Sequence, residues 1–471
     1  MAREAKSGKK VWIARAAIAA ILITALLVSL LWADAINRRF GLIQTEEKPY
    51  DGEYSAQEVL ELGGDLNVHF VDVGQGDACI IEFPDERTML IDAGDTHSKN
   101  KQNLLDYIEK NINDAAGNDI RYFDFAVLTH PDSDHCGGMY DVLTKYPAKT
   151  FYRPCVASAY KDGEKGDTFV DPAKDLIAEK TGDNKNNVKT TAAYDKAIQA
   201  GYNANKVNGV ESEVIITNFL SDGADAVITP EGVEKGAPDY YEFTFFVSET
   251  SYVDNNNYSP VMVLEYHDKR FMLSGDAEKE AEENFVALAK AGKGNYAMFT
   301  EDFTVDVFKL GHHGSSTSSS EAFIEAMTTA QNRPNVKAII SCGEGNKYKH
   351  PHTAVLERLT KMGFADENIV RTDVNGSIAM SVRGVAAASG GGYTYELYMG
   401  AEAVRRTAAA VGNDTVQLTW KEIVLLAVIV ILAVLIVFPA VRGLQRKAHA
   451  AAKSGSSQSR GGGRGKGSAR K

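Results

Sequence analysis

Cysteine is scarce in this chain. Four of its 471 residues are Cys (Cys79, Cys136, Cys155 and Cys342), and no two share a C-x-x-C spacing, so the pattern of a zinc–thiolate knot is missing. Outside the cytoplasm three disulfide connectivities stay open, but Cys79 lies inside the apolar run ACIIEF, and all four are expected as buried free thiols. No fixed-period repeat occurs. Positive charge is missing from the middle of the chain. Of the net charge of −12, residues 1–33 carry +4 and residues 421–471 carry +9, which leaves −25 on residues 34–420. Tight binding of long duplex DNA draws on many Lys/Arg contacts to phosphate. The central region has no basic run to supply them, so any nucleic-acid footprint is expected to be short, on single strands or ends.

Apolar length is present at both ends. Residues 16–33 form 18 uncharged, mostly apolar residues behind Arg3, Lys6, Lys9, Lys10 and Arg15, and residues 423–441 form 19 apolar residues closed by Arg442. A membrane span needs about 20 such residues. Ala33-Asp34-Ala35 has the small-x-small form of a signal-peptide cleavage site, but the run exceeds the usual apolar region of a signal peptide, which favours an uncleaved anchor. Basic flanks stay in the cytoplasm. The expected arrangement is a cell-membrane protein with both termini cytoplasmic and an acidic head that is extracellular or periplasmic. Its parts are a basic end (1–15), a span (16–33), a stalk (34–64), a globular domain (65–385), a linker (386–420), a second span (423–441) and a basic low-complexity tail (442–471). That tail is expected to fix topology near anionic lipid.

Within the domain, LNVHFVDV, ACIIEF and TMLID are separated by GQGD and PDER, a strand–turn–strand pattern. FDFAVLT is a continuous apolar run, the mark of a buried strand. Residues 99–113, 277–291, 320–330 and 353–362 read as helices, and the alternation continues to about residue 381. Residues 157–213 are rich in Lys, Asp, Asn and Gly, with one helical piece near 190–204, and read as a surface insertion or lid.

Polar groups able to bind metal follow apolar strands one loop at a time. Asp92 follows MLI, the turn His130-Pro-Asp132-Ser-Asp134-His135 follows AVLT, Asp276 follows FMLSG, and His312-His313 follow VFKLG. A metal site at one edge of a layered α/β fold requires this arrangement, because functional groups gather at the carboxyl ends of the strands. The better-known form of the turn is H-x-H-x-D-H, and here Asp132 stands at the middle histidine.

DVGQGD (72–77), LIDAG (90–94), HPDSDHCGG (130–138), NNNYSPVMVLEY (255–266), LSGD (273–276), HHGSSTSSS (312–320) and SCGEGNKYKHPH (341–352) resemble, in order, the metallo-β-lactamase-type domain of the ComEC competence family. The resemblance covers residues 65–382. It implies an αββα sandwich, here flanked by two transmembrane helices, and a metal-dependent hydrolase with nuclease activity. ComEC itself is a polytopic DNA channel; two spans cannot form that channel, so DNA uptake does not carry over.

By this resemblance His130 and Asp132 hold a first metal, and Asp134 and His135 a second. Asp276 bridges the two. One of His312 and His313 completes the second site, with His312 favoured as the first residue past the strand. Asp92, with Asp77 and Asn257, would orient ligands from behind. Asn255, Asn256, Asn257 and Ser259 stand where many relatives carry a further histidine. An oxygen-rich site suits Mn²⁺ better than Zn²⁺, so two divalent ions are expected, Mn²⁺ in preference and Zn²⁺ as the alternative. Asp134 also becomes a candidate to orient the attacking water. His350 and His352 are candidates to protonate the leaving oxygen, and Ser315 and Ser316 to contact phosphate. Lys349 stands where the family usually has Gly, which adds a phosphate contact or alters access. Gly74 and Gly76 permit a tight turn beside the site.

The expected function is a membrane-anchored phosphodiesterase or nuclease in which two metals activate water. Its substrate is a phosphodiester, possible forms being short or single-stranded nucleic acid. Hydrolysis of cell-envelope phosphodiesters or other esters is the alternative, and a non-catalytic surface module is the third.

Overall fold

Two faces of one strand show how the layers form. β1 (Leu66–Phe70) sends Leu66, Val68 and Phe70 to one side and Asn67 and His69 to the other, and all five are buried. Side chains alternate along a strand, so a strand buried on both faces must lie inside a sheet that is covered twice. The computed structural model describes residues 66–399 apart from 114–118, 159–168, 183–187, 189, 204–208, 247–249, 300–301 and 387–392. The two expected spans, the stalk and the basic tail lie outside the described residues. Among those described, no helix is long and apolar enough to cross a membrane.

The first half of the domain builds one sheet. After β1 come β2 (Cys79–Glu82), β3 (Thr88–Ile91), helix α1 (Ser98–Asn111), β4 (Phe123–Val127), the one-turn α2 (Ser133–Cys136), α3 (Met139–Lys145) and β5 (Ala148–Arg153). Helices α4 (Lys174–Thr181) and α5 (Ala192–Tyr202) lead to β6 (Glu213–Ile216). The second half supplies β7 (Val227–Ile228), β8 (Tyr241–Phe246), β9 (Val261–Tyr266), β10 (Lys269–Leu273), α6 (Lys279–Ala291), β11 (Val307–Lys309), α7 (Glu321–Met327), β12 (Lys337–Ile340), α8 (Thr353–Met362), β13 (Ile369–Arg371) and the short α9 (Thr372–Asn375). The chain then returns with β14 (Ile378–Ala386) and β15 (Tyr393–Met399).

The first sheet runs β15-β14-β1-β2-β3-β4-β5-β6 and the second β13-β12-β11-β10-β9-β8-β7. β3 to β6 are parallel, as are β10 to β13, and the remaining pairs are antiparallel. Val68, Ile81 and Met89 of the first sheet meet Phe243, Leu264 and Val307 of the second in a central apolar layer. Leu104, Met139 and Ile198 cover the outer face of the first sheet, and Phe285, Phe323 and Leu359 that of the second. The result is the expected αββα sandwich. The four cysteines are free and buried.

Two expectations change. The stretch read as a surface lid is in part core. Tyr194, Ala197 and Ile198 of α5 are fully buried against the first sheet, each large apolar side chain contributing about 1.5–3 kcal/mol. Gly201 lies so close to the Phe151 ring that a Cβ there would come within 2.1 Å of it. Arg153 at the end of β5 ties this region down: both its terminal nitrogens donate to Asp171 at 2.9 Å, and one also reaches the carbonyl of Val156 at 2.5 Å. The domain also extends past residue 385, because β15 pairs along β14 from Met380↔Met399 to Ala386↔Tyr393. YTYELYM, read as linker, alternates aromatic and polar residues over its first half, the pattern of a strand.

Candidate metal centre

The carboxyl ends of β1, β3, β4, β10 and β11 converge on one buried cluster. The turn after β1 reaches the turn after β4 closely: Asp77 N–H donates to Asp134 O at 3.2 Å. A Cβ on Gly76 (φ +115°) would lie 1.9 Å from that same oxygen. Only glycine fits there, both for its backbone angle and for the approach.

Three imidazoles share one design. His135 donates from Nδ1 to Asp92 at 2.7 Å, His313 turns Nδ1 to Ser341 O at 2.9 Å with Asp77 Oδ1 at 3.2 Å, and His312 donates from Nδ1 to Glu278 at 2.9 Å. Their Nε2 atoms then all face Asp276 Oδ2, at 3.1, 3.1 and 3.8 Å respectively. A carboxylate or carbonyl on one ring nitrogen fixes the tautomer and leaves the other to bind a metal. His130 is oriented differently. Thr129 Oγ1 donates to Asp92 at 2.7 Å and so can only accept from His130 Nδ1 at 3.0 Å; Ser259 Oγ is also 3.2 Å from that nitrogen. The His130 Nε2 lone pair is left facing inward.

The donors fit a divalent cation. His135 Nε2 and His313 Nε2 are 3.2 Å apart, and Asp134 Oδ2 is 3.5 Å from His313 Nε2. A tetrahedral ion with ligands at about 2.0–2.2 Å needs donors roughly 3.3–3.6 Å apart, so the triangle of His135, His313 and Asp276 is close to that size. His130 Nε2 and Asp276 Oδ1 are both buried with no hydrogen-bond partner among the described residues. Buried polar atoms are rarely left so, and these two supply donors for a second position.

Protons stand in for cations here. Burial opposes charge on His135 and His313, but Asp276 together with Asp92 and Asp77 outweighs it, holding both pKa values well above the usual imidazole range. Asp276 is correspondingly held well below the carboxylate range despite its burial. Burial and then the His135 charge push His130 down to about 4, so it is neutral. Loading a divalent ion at neutral pH is therefore expected to release about two protons. Calorimetry in two buffers of different ionisation enthalpy reads this directly. Release of none would show that the rings are already neutral in the metal-free protein.

Residues 71–204 match the metallo-beta-lactamase superfamily. Over those residues the chain is similar to that superfamily. ComE operon protein 3 of Bacillus subtilis (strain 168) is 29% identical to it over 328 residues, covering 67% of this chain and 33% of that protein. Competence protein ComA of Neisseria gonorrhoeae is 30% identical over 211 residues, covering 40% and 28%. Recombination protein 2 of Haemophilus influenzae is 26% identical over 317 residues, covering 67% and 28%. The chain thus spans about a third or less of the length of these curated relatives, which agree with the ComEC-type resemblance of its motifs.

The fold places the expected site residues unequally. His130, Asp134, His135 and Asp276 meet in the cluster. Of the histidine pair, His313 rather than His312 makes the shorter approach to Asp276. Both residues have positive φ, 49° and 55°, and two left-handed residues in a row swing the second side chain inward. Asp132 departs from expectation. It is half-buried, its carboxylate accepts from Asn255 at 2.8 Å, and it lies outside the buried group of Asp77, His135, Asp276 and His313, which Asp134 joins at the edge through its 3.5 Å approach to His313. Asn257 does not reach a ligand either; its side-chain oxygen accepts from the backbone of Glu278 and Ala281 at the start of α6.

The other expected catalytic groups also shift. Ser316 N–H donates to His352 Nδ1 at 3.0 Å, so the His352 proton sits on Nε2, facing Tyr348 O at 3.2 Å. Both nitrogens are committed, and His352 is a loop brace rather than an acid. Ser315 is buried against Thr317 at 2.9 Å. His350 does stand over the cluster, its ring 5.4 Å from that of His312 and 6.0 Å from that of His313. Burial and then the His313 and His312 charges lower its pKa to about 4.

Three residues escaped sequence reading. Glu278 sits at the N-cap position of α6, where no motif marks it. Ser259, which joins His130 to the Asp276 N–H (3.1 Å), lay in the asparagine-rich run. Lys309 closes an apolar strand, yet its buried ammonium pairs with Asp77 at 2.5 Å beneath the centre. An ionic side chain at the end of an apolar strand was the available signal.

Proposed function

We propose that this chain is a membrane-anchored hydrolase of phosphodiesters, with a metal centre at Asp276, His135, His313 and Asp134 and a second at His130 and Asp276. The observation that carries the hydrolase reading is the convergence of three oriented imidazole Nε2 atoms on one carboxylate oxygen, beside two orphaned donors. Divalent ions, when bound there, would supply a nucleophile from water near neutral pH and offset charge on the phosphoryl oxygens. The chain's own residues do the rest. Asp92, Asp77 and Glu278 hold the rings, and neutral His350 offers an N–H to a developing oxyanion.

Nucleic acid is favoured as the substrate because one relative is named for competence and another for recombination. The terminal apolar runs support anchoring, with the domain extracellular or periplasmic. Mn²⁺ is kept as the preferred metal for the oxygens of Asp134 and Asp276 and the lack of imidazole in the Asn255–Ser259 segment, while His130, His135 and His313 keep Zn²⁺ as the alternative.

Full-length protein stripped of metal and reloaded with Mn²⁺ is expected to cleave single-stranded DNA and bis-p-nitrophenyl phosphate. Activity restored by Zn²⁺ alone would reject the metal preference. Cleavage of the small ester without any DNA would favour a cell-envelope phosphodiester, a reading the acidic charge of the domain supports. No turnover with any metal would favour a non-catalytic module.

A further inference from the structure

Beside the metal centre lies a turn that the chemistry above does not use. Lys347, Tyr348 and Lys349 are all exposed, Tyr348 by 48%, in a domain whose net charge is strongly negative. The turn is fixed in place. Asn346 accepts the His350 N–H at 2.9 Å and donates to the carbonyls of Gly343 and His350 at 2.9 and 2.6 Å. His352 braces the Tyr348 carbonyl against the loop after β11. At its base, a Cβ on Gly343 would lie 2.8 Å from the backbone of Gly74.

Its distance from the metal donors is short. The Tyr348 ring lies 5.7 Å from the His350 ring at an interplanar angle of 21°, and His350 in turn overhangs His312 and His313. The Lys347 ammonium is held 4.7 Å from the Tyr348 ring centre and within the fields of Asp134 and Asp95. Lys349 has φ +62°, a region that disfavours any residue with a Cβ. Its ammonium has no ion-pair partner among the described residues, so no ion pair among them accounts for a lysine there.

We propose that this turn is the substrate grip: Tyr348 stacks on a nucleobase next to the scissile bond, while Lys347 and Lys349 contact flanking phosphates. The inference rests on the phosphodiesterase reading above and narrows it to single-stranded nucleic acid. Stacking needs an unpaired base, since a duplex hides both faces of each pair. An exposed cation–π contact is weaker than base–aromatic stacking, so an incoming base displaces Lys347 from the ring and frees it for phosphate. A polymer with phosphates but no planar bases would engage the lysines and leave Tyr348 unused.

The test uses the full chain loaded with Mn²⁺ and two end-labelled single strands of equal length, one oligothymidylate and one made of abasic sites. Wild type is expected to cleave the thymidylate with a kcat/KM about tenfold higher. Tyr348→Ala should erase that preference and Tyr348→Phe should keep it, an outcome a merely structural tyrosine would not produce. Lys347→Ala with Lys349→Ala should slow both strands alike and flatten the salt dependence. Equal cleavage of both strands by wild type, or a preference surviving in Tyr348→Ala, overturns the proposal. Hydrolysis of bis-p-nitrophenyl phosphate with neither strand cut overturns it while leaving the phosphodiesterase reading intact. Absence of all turnover removes both.

Discussion

Asp276→Asn is expected to silence the protein. The substitution keeps shape and volume, but it removes the charge that His135 and His313 approach at 3.1 Å and His312 at 3.8 Å. Losing a group behind a metal ligand costs about 10–100-fold in metal affinity. Losing the carboxylate on which three rings converge should cost more, and kcat/KM on a phosphodiester should fall at least about a thousandfold, or roughly 4 kcal/mol. Metal content after dialysis and hydrolysis of bis-p-nitrophenyl phosphate measure the two effects; metal content within twofold of wild type would refute the assignment.

The metal-free variant has a second signature in pH. His135 and His313 are raised above their ordinary 6.5 in the folded state and Asp276 is lowered below its ordinary 3.8. The raised histidines contribute stability that is fully present below 6.5 and lost as pH climbs through their folded values. The lowered Asp276 contributes stability present above 3.8 and lost as pH falls through its folded value. Both contributions coincide between 3.8 and 6.5, so metal-free Asp276→Asn should lose most stability in that window and approach wild type in strong alkali.

Arg153→Met should be the most damaging substitution away from the centre. Arg153 and Asp171 are both buried, and two 2.9 Å hydrogen bonds join them. Asp171 also accepts the N–H groups of Ser158 and Ala173 at 2.8 and 3.0 Å. Breaking a buried pair from one side leaves an uncompensated charge and costs about 3–5 kcal/mol. Adding Asp171→Leu removes that charge and should recover part of the loss. It cannot recover all, because the two backbone N–H groups then lose their acceptor. Urea unfolding of the single and double variants decides the matter. A double variant no more stable than Arg153→Met would show that the clamp acts through packing instead of charge.

How much of this could be read from residues alone depended on distance along the chain. The strand-end loops were legible because each pairs an apolar run with a nearby ligand type, as in AVLT before His130 and FMLSG before Asp276. Gly76 was legible as a tight turn, though the Asp134 oxygen it makes room for was not. What failed was what the backbone decides at one point or the fold decides at long range. Two left-handed residues reverse the order of His312 and His313. His352 read as a catalytic acid because its partners Ser316 N–H and Tyr348 O belong to backbone that composition does not locate. The stretch 157–213 read as lid because its polar residues outnumber its apolar ones. Of its apolar residues, Tyr194, Ala197 and Ile198 sit three and four apart and fill the core.

The two sheets share the cluster without either owning it. His130, Asp134 and His135 arrive from the first sheet and Asp276 and His313 from the second, with His135 and His313 separated by 178 residues. A chain still emerging from the ribosome, or threaded in extended form from one compartment to another, therefore holds no cage, only scattered side chains with weak and indiscriminate affinities. The cage closes when the second half docks on the first. An ion held by both halves would thus be taken up where folding finishes, from the ions dissolved there.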